Sequence, residues 1–88
     1  MKEKEMEKVL KALANERRLL ILKILKLKKK RPVGNIAEEI KLSFKATSKH
    51  LSILYAKGLV EREQIKLQMY YSLHPELSKP AHLIISLL

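Results

Sequence analysis

The chain has 88 residues and carries nineteen Lys and Arg against nine Glu and no Asp, a formal charge of +10. Its length makes one small domain, and 47% hydrophobic with 32% charged residues is the balance of a globular chain rather than a disordered one. The charge favours a polyanionic partner, DNA, RNA or an anionic membrane surface, while the lack of cysteine excludes a disulfide scaffold, a thiolate metal site and a thiol switch.

From Lys2 to Leu13 a polar, mixed-charge start leads into Met6, Val9, Leu10 and Leu13 at helical spacing, which predicts an amphipathic helix over about 3–13. The start has no signal-peptide pattern, and a cytoplasmic, nucleoid-associated protein is expected. Asn15 is suited to cap the next helix, with Glu16 in its first turn. "RRLLILKILKL" is apolar on nearly every side, as in a central helix covered by its neighbours. Lys23 and Lys26 interrupt it, so it is no membrane span.

In "KLKKKRPVGN", Pro32 stops the helix and biases Arg31 toward extended backbone. The basic run before it reads most plainly as a solvated connection at a helix C-terminus, where cations suit the dipole. A phosphate-contacting loop and a nuclear-import signal are the other readings. "NIAEEI" predicts a short helix with Ile36, Ala37 and Ile40 on one face. Ser43 then caps a helix running to about Lys57, and Gly58 ends it. Leu67, Met69, Tyr71 and Leu73 alternate with Gln68, Tyr70 and Ser72, the period of a half-buried strand. Paired with Val60 to Gln64 it makes a hairpin with its tip near Ile65 and Lys66. Pro75 and Pro80 bracket a turn, and "AHLIISLL" closes the chain as a short helix.

The expected fold is mainly α with a small β-hairpin, a winged helix-turn-helix in one domain over 1–88. The helix-turn-helix lies at about 34–58, the wing at about 59–73, and terminal helices at about 3–13 and 76–88. On the 43–58 helix, Thr47, Leu51, Leu54 and Gly58 share a core-facing stripe with Tyr55 beside it; Lys45, Ser48, Lys49 and Ser52 lie opposite. No acid occurs from Ser43 to Lys57. A B-DNA major groove admits a helix and offers base edges that Lys, Ser, Thr and His can bond, read mostly from the helix's N-terminal half.

"LANERRLLILKIL", "VGNIAEEIKLSFKATSKHLSILYAKGLVERE" and "YYSLHPE" together resemble the ArsR-type winged-helix transcriptional regulators, over about Leu10 to Glu76. The most specific part is "LSFKATSKHLSILYAKGLV", which is similar to that family's recognition helix: Leu-Ser, four variable positions, Ser-Lys-His-Leu, then Gly-Leu-Val. The resemblance implies a homodimer on a pseudo-twofold operator, most often as a repressor, with recognition helices in successive major grooves and wings on the flanking backbone or minor groove. It implies a DNA face of Ser43, Phe44, Lys45, Thr47, Ser48, Lys49 and His50, with Arg62 and Lys66 on the wing. Phe44 stands where the family often has a polar residue. Two readings of it are a staple at the helix start and a contact to a thymine methyl.

Three departures matter. "PVGNIAEE" lacks the cysteines with which many members sense metals, and His74 and His82 have no helical-spacing partner, so no metal and no cofactor is expected. Lys66 replaces the usual wing-tip glycine. Glu61 and Glu63 offset Arg62 and Lys66, which makes Lys28, Lys29, Lys30 and Arg31 candidate phosphate contacts in place of a weak wing. Met6, Val9, Leu10, Leu13, Leu83, Ile84, Leu87 and Leu88 are more apolar surface than so small a core covers, and predict a dimer interface. The alternative is a C-terminal helix folded back on its own core.

Competing functions are a non-specific architectural DNA binder and a winged-helix protein–protein module. Enzymatic activity is not expected. There is no paired carboxylate, phosphate-cradling glycine loop or metal cluster, and Ser48 and His50, two apart on a helix, do not face each other.

Overall fold

In the computed structural model, which describes residues 1–88, the polar residues suited to start helices do so. After α1 (Glu3–Leu13), the Asn15 side chain accepts a bond from the Arg18 amide at 3.1 Å and opens α2 (Glu16–Lys28). Ser43 does the same for the Ala46 amide, also at 3.1 Å, between α3 (Val33–Ile40) and α4 (Phe44–Ala56). A hairpin of β2 (Val60–Ile65) and β3 (Gln68–Leu73) follows, and α5 (Lys79–Ser86) ends the fold. Pro80 sits in the first turn of α5, where its missing amide hydrogen costs no helix bond.

Two features depart from expectation. The basic connection is not wholly irregular: Arg31–Pro32 forms a short strand, β1, opposite Tyr71 and Tyr70 of β3. The sheet is therefore three-stranded in the order β1-β3-β2, all antiparallel. Proline is tolerated because β1 is an edge. The hairpin turn falls one residue later than expected, on Lys66 and Leu67, since Ile65 pairs with Gln68. Leu67 therefore leaves the strand alternation and stands 98% exposed at the wing tip.

The core forms where α2, α3 and α4 meet under the sheet. Ile21, Leu22, Leu25, Ile36, Leu51, Leu54, Leu59 and Val60 are nearly or wholly buried there, with Tyr71 closing it from β3. The central helix is not covered all round, because Leu20 and Leu27 remain exposed. From α1, Val9, Ala12 and Leu13 enter the same core, as do Ala81 and Ile85 from α5. The C-terminal helix thus folds back on the body with one face and leaves Leu83 and Leu87 in solvent.

The reversal around α4 rests on two helix ends of the same kind. After α4, Gly58 takes φ 69°, its amide bonds to the Tyr55 carbonyl, and the Leu59 amide bonds back to Leu54. After α3, Lys41 takes φ 56°, its amide bonds to Glu38, and the Leu42 amide bonds back to Ala37. Both are Schellman ends, with an apolar residue following the left-handed one. A Cβ on Gly58 would meet nothing within 4 Å, so any penalty there is one of backbone alone. Gly58→Ala should cost about 1–2 kcal/mol, whereas Lys41→Gly should gain about 0.5–1 kcal/mol, as read by urea unfolding with an unchanged m-value.

Candidate nucleic-acid interface

Packing sets which edge of α4 faces outward. Thr47, Leu51 and Leu54 are wholly buried, and at about 100° per residue this turns Lys45, Lys49 and Ser52 into solvent, with Ser48 half-buried beside them. Phe44, the first helical residue, is 62% exposed. The sequence expectation for Thr47 is corrected here. Its hydroxyl donates to the Ser43 carbonyl at 2.8 Å inside the core stripe, so no surface is left to offer DNA.

His50 has a structural partner. Arg18 Nη1 lies 3.3 Å from its Nδ1, while the same guanidinium donates through Nε to the Ala12 carbonyl at 2.6 Å and through Nη2 to the Lys11 carbonyl at 3.3 Å. Arginine is always a donor, so Nδ1 accepts and the neutral ring holds its proton on Nε2. Burial lowers the His50 pKa below the ordinary histidine value, and Arg18, Arg17 and Lys49 push it the same way. Arg17 Nη1 is itself buried without a partner. Arg18 therefore ties the last carbonyls of α1 to the middle of α4, and His50 positions that helix. Residues 32 apart leave no periodic signal, so the sequence could not show this pair.

The wing and the basic connection are bound into the fold. Arg62 stacks over the exposed Tyr55 ring at 3.9 Å, which fastens β2 to the C-terminal half of α4. Glu63 accepts from Lys30 at 2.6 Å, and the bond together with its charge raises the Lys30 pKa. Glu39 takes Lys28 at 2.5 Å. Lys28, Lys30 and Arg62 thus have intramolecular partners, while Lys29 and Lys66 are exposed cations with no ion pair. Arg31 is half-buried in β1.

The terminal apolar set divides. Val9 and Leu13 belong to the chain's own core, which corrects their assignment to an interface. Ile84 and Leu88 are half-buried against it. Met6, Leu10, Leu83 and Leu87 stay exposed, and Met6 and Leu10 line a shallow groove of about 420 Å³ with Ala14, rimmed by Glu3, Glu7 and Lys11.

A short helix, a tight left-handed turn and a helix with its polar edge outward, followed directly by a hairpin, define a winged helix-turn-helix domain. The sequence profile of the bacterial regulatory proteins of the arsR family matches residues 15–62. Nodulation protein NolR of Rhizobium meliloti is 44% identical over 63 residues, 72% of this chain. Transcriptional activator HlyU of Vibrio cholerae is 42% identical over 65 residues, 74% of the chain. The chain spans 51% of NolR's length and 59% of HlyU's. The solved structure of reduced HlyU is similar over 96% of this chain and 84% of its own, at 37% identity and a TM-score of 0.81. The homodimeric winged helix-turn-helix DNA-binding domain of Mycobacterium bovis Mb0332 is similar over 96% of this chain and 74% of its own, with 31% identity and a TM-score of 0.80. This chain belongs to the ArsR family.

The Arg18–His50 contact has a pH signature. The folded protein binds the His50 proton less readily than the unfolded chain, so stability is greatest above the ordinary value of about 6.5 and falls as pH drops below it. Melting temperature should decline from pH 7.5 to pH 5, and His50→Gln should remove that component. A wild-type decline that His50→Gln leaves intact would assign it to other groups.

Proposed function

We propose that the chain is a sequence-specific double-stranded-DNA-binding regulator of transcription, which inserts α4 into the major groove as one half of a homodimer. The observation that carries this is the acid-free outer edge of α4, held outward by the burial of Thr47, Leu51 and Leu54 on the opposite side. Ser43, Lys45, Ser48 and Lys49 form that edge. Short hydroxyls at close range suit base edges, and the two lysines reach either guanine or phosphate. Lys66 at the wing tip and Lys29 in the connection, exposed and without an ion pair, would touch flanking phosphates.

The relatives' regulatory character and the homodimeric Mb0332 domain support the same reading. The second copy would cover Met6, Leu10, Leu83 and Leu87, apolar surface that α1 and α5 leave in water. Repression is the direction proposed, because a dimer seated on its operator occludes it by bulk alone, whereas activation needs a further contact to the polymerase. HlyU, a transcriptional activator, makes the direction a question for a promoter–reporter assay. The site of action would be nucleoid DNA in the cytoplasm, and no helix is long and apolar enough to cross a membrane.

Gel-shift titration on sequences selected from a random pool tests the core of this reading. Lys45→Ala and Lys49→Ala should each lower the salt slope of binding by about one where the side chain meets a phosphate, and Lys30→Ala should leave it unchanged. Affinity indifferent to sequence would make the protein an architectural binder, and no binding would make it a protein-interaction module. Leu10→Glu with Leu83→Glu should yield monomers by sedimentation and weaken operator binding at least ten-fold, since one half-site contact is lost (on the order of several kcal/mol for a second module).

A further inference from the structure

The exposed aromatic at the front of α4 is not the staple of that helix. A hydrophobic staple pairs the residue before the cap with the fourth helical residue, and with Ser43 as cap those are Leu42 and Thr47. Leu42 packs against the core and Thr47 is wholly buried, so that place is filled without Phe44. Phe44 is instead 62% exposed, next in the chain to Lys45 of the proposed reading edge. One flank of it lines a cleft of about 130 Å³, mostly apolar, with Pro32, Val33, Leu67 and Met69 beside Gly34 and the wing's Gln68.

In the major groove the one apolar group that base edges display is the thymine C5-methyl. A solvated phenylalanine in the N-terminal turn of a reading helix has nothing else there to bury itself against. Polar base edges would lose water to it without gaining a hydrogen bond, an unfavourable exchange. We propose that Phe44 is a specificity-determining residue that packs on a thymine methyl, so that each operator half-site carries a thymine at the position facing the start of α4. This rests on the major-groove reading of α4 given above. It assigns a base to a side chain that the hydrogen-bonding members of the edge cannot account for, and it makes part of the sequence preference independent of salt.

The test uses the full chain and duplexes selected from a random pool by the wild-type protein. Each thymine of the selected half-site is replaced in turn by deoxyuridine, which removes only the methyl. One position should weaken wild-type binding about four-fold, the worth of one buried methyl. Phe44→Ala should bind the thymine duplex weaker by at least that factor and be indifferent to the same replacement, whereas Phe44→Leu should retain part of the methyl dependence. The comparison of thymine with deoxyuridine is made within each variant, so a change in folding does not mimic the result. If no position shows methyl dependence, or if Phe44→Ala keeps it, the thymine assignment is overturned while sequence-specific binding stands. If the wild-type protein enriches no sequence at all, the major-groove reading fails first and carries this assignment with it.

Discussion

Everything the outer edge of α4 can do depends on the burial of its inner stripe. Leu51 and Leu54 are wholly buried, and each contributes about 1.5–3 kcal/mol relative to exposure. Rotating the helix by one residue position would lift one of them into water and drive Lys45 or Lys49 toward the core. That penalty is a large share of the stability a domain of this size commands. The helix therefore has one rotational setting, and the polar edge is presented before any nucleic acid arrives. The left-handed ends at Lys41 and Gly58 fix the remaining freedom, the direction in which the chain enters and leaves α4.

Electrostatics arranges the rest. The net charge of +10 is not spread evenly, because two of the nine glutamates, Glu39 and Glu63, neutralise Lys28 and Lys30 in the connection. Exposed pairs of this kind are worth little in stability, on the order of 0–1 kcal/mol. Their effect is on location: they cancel charge beside β1 and on β2, while α4 keeps its lysines with no acid of its own. Arg62 adds to this by stacking on Tyr55, which joins the wing to α4 through a cation that the sequence had offered to DNA. The wing is thereby fastened to α4, and Arg62 is engaged within the fold.

What the sequence disclosed follows a physical division. Signals that live within a few residues were legible: the caps at Asn15 and Ser43, the glycine end at Gly58 and the core stripe of α4, whereas the alternation expected of β3 reduces to one buried residue, Tyr71. Contacts between distant residues were not. β1 is two residues long and exists because Tyr70 and Tyr71 lie beside it, so no propensity announces it. Arg18 meets His50 across 32 residues, and Arg62 finds Tyr55 only once the hairpin is folded. Thr47 exposes the limit of chemical type as a guide. A hydroxyl suits base edges, but this one is spent on the Ser43 carbonyl four residues back.

The size of the fold bears on why the proposed reading calls for two copies. One α4 would present Ser43, Lys45, Ser48 and Lys49 to a groove, enough for a few base pairs and no more. Two copies related by a twofold axis would present the same edge twice, about 34–36 Å apart, and make the second contact intramolecular. Met6 and Leu10 on α1 and Leu83 and Leu87 on α5 are the exposed apolar residues proposed for the dimer, and the residues proposed to read DNA lie on α4 and the wing tip. On the proposed reading, self-association and recognition would use different elements, both carried by the core of α2, α3 and α4.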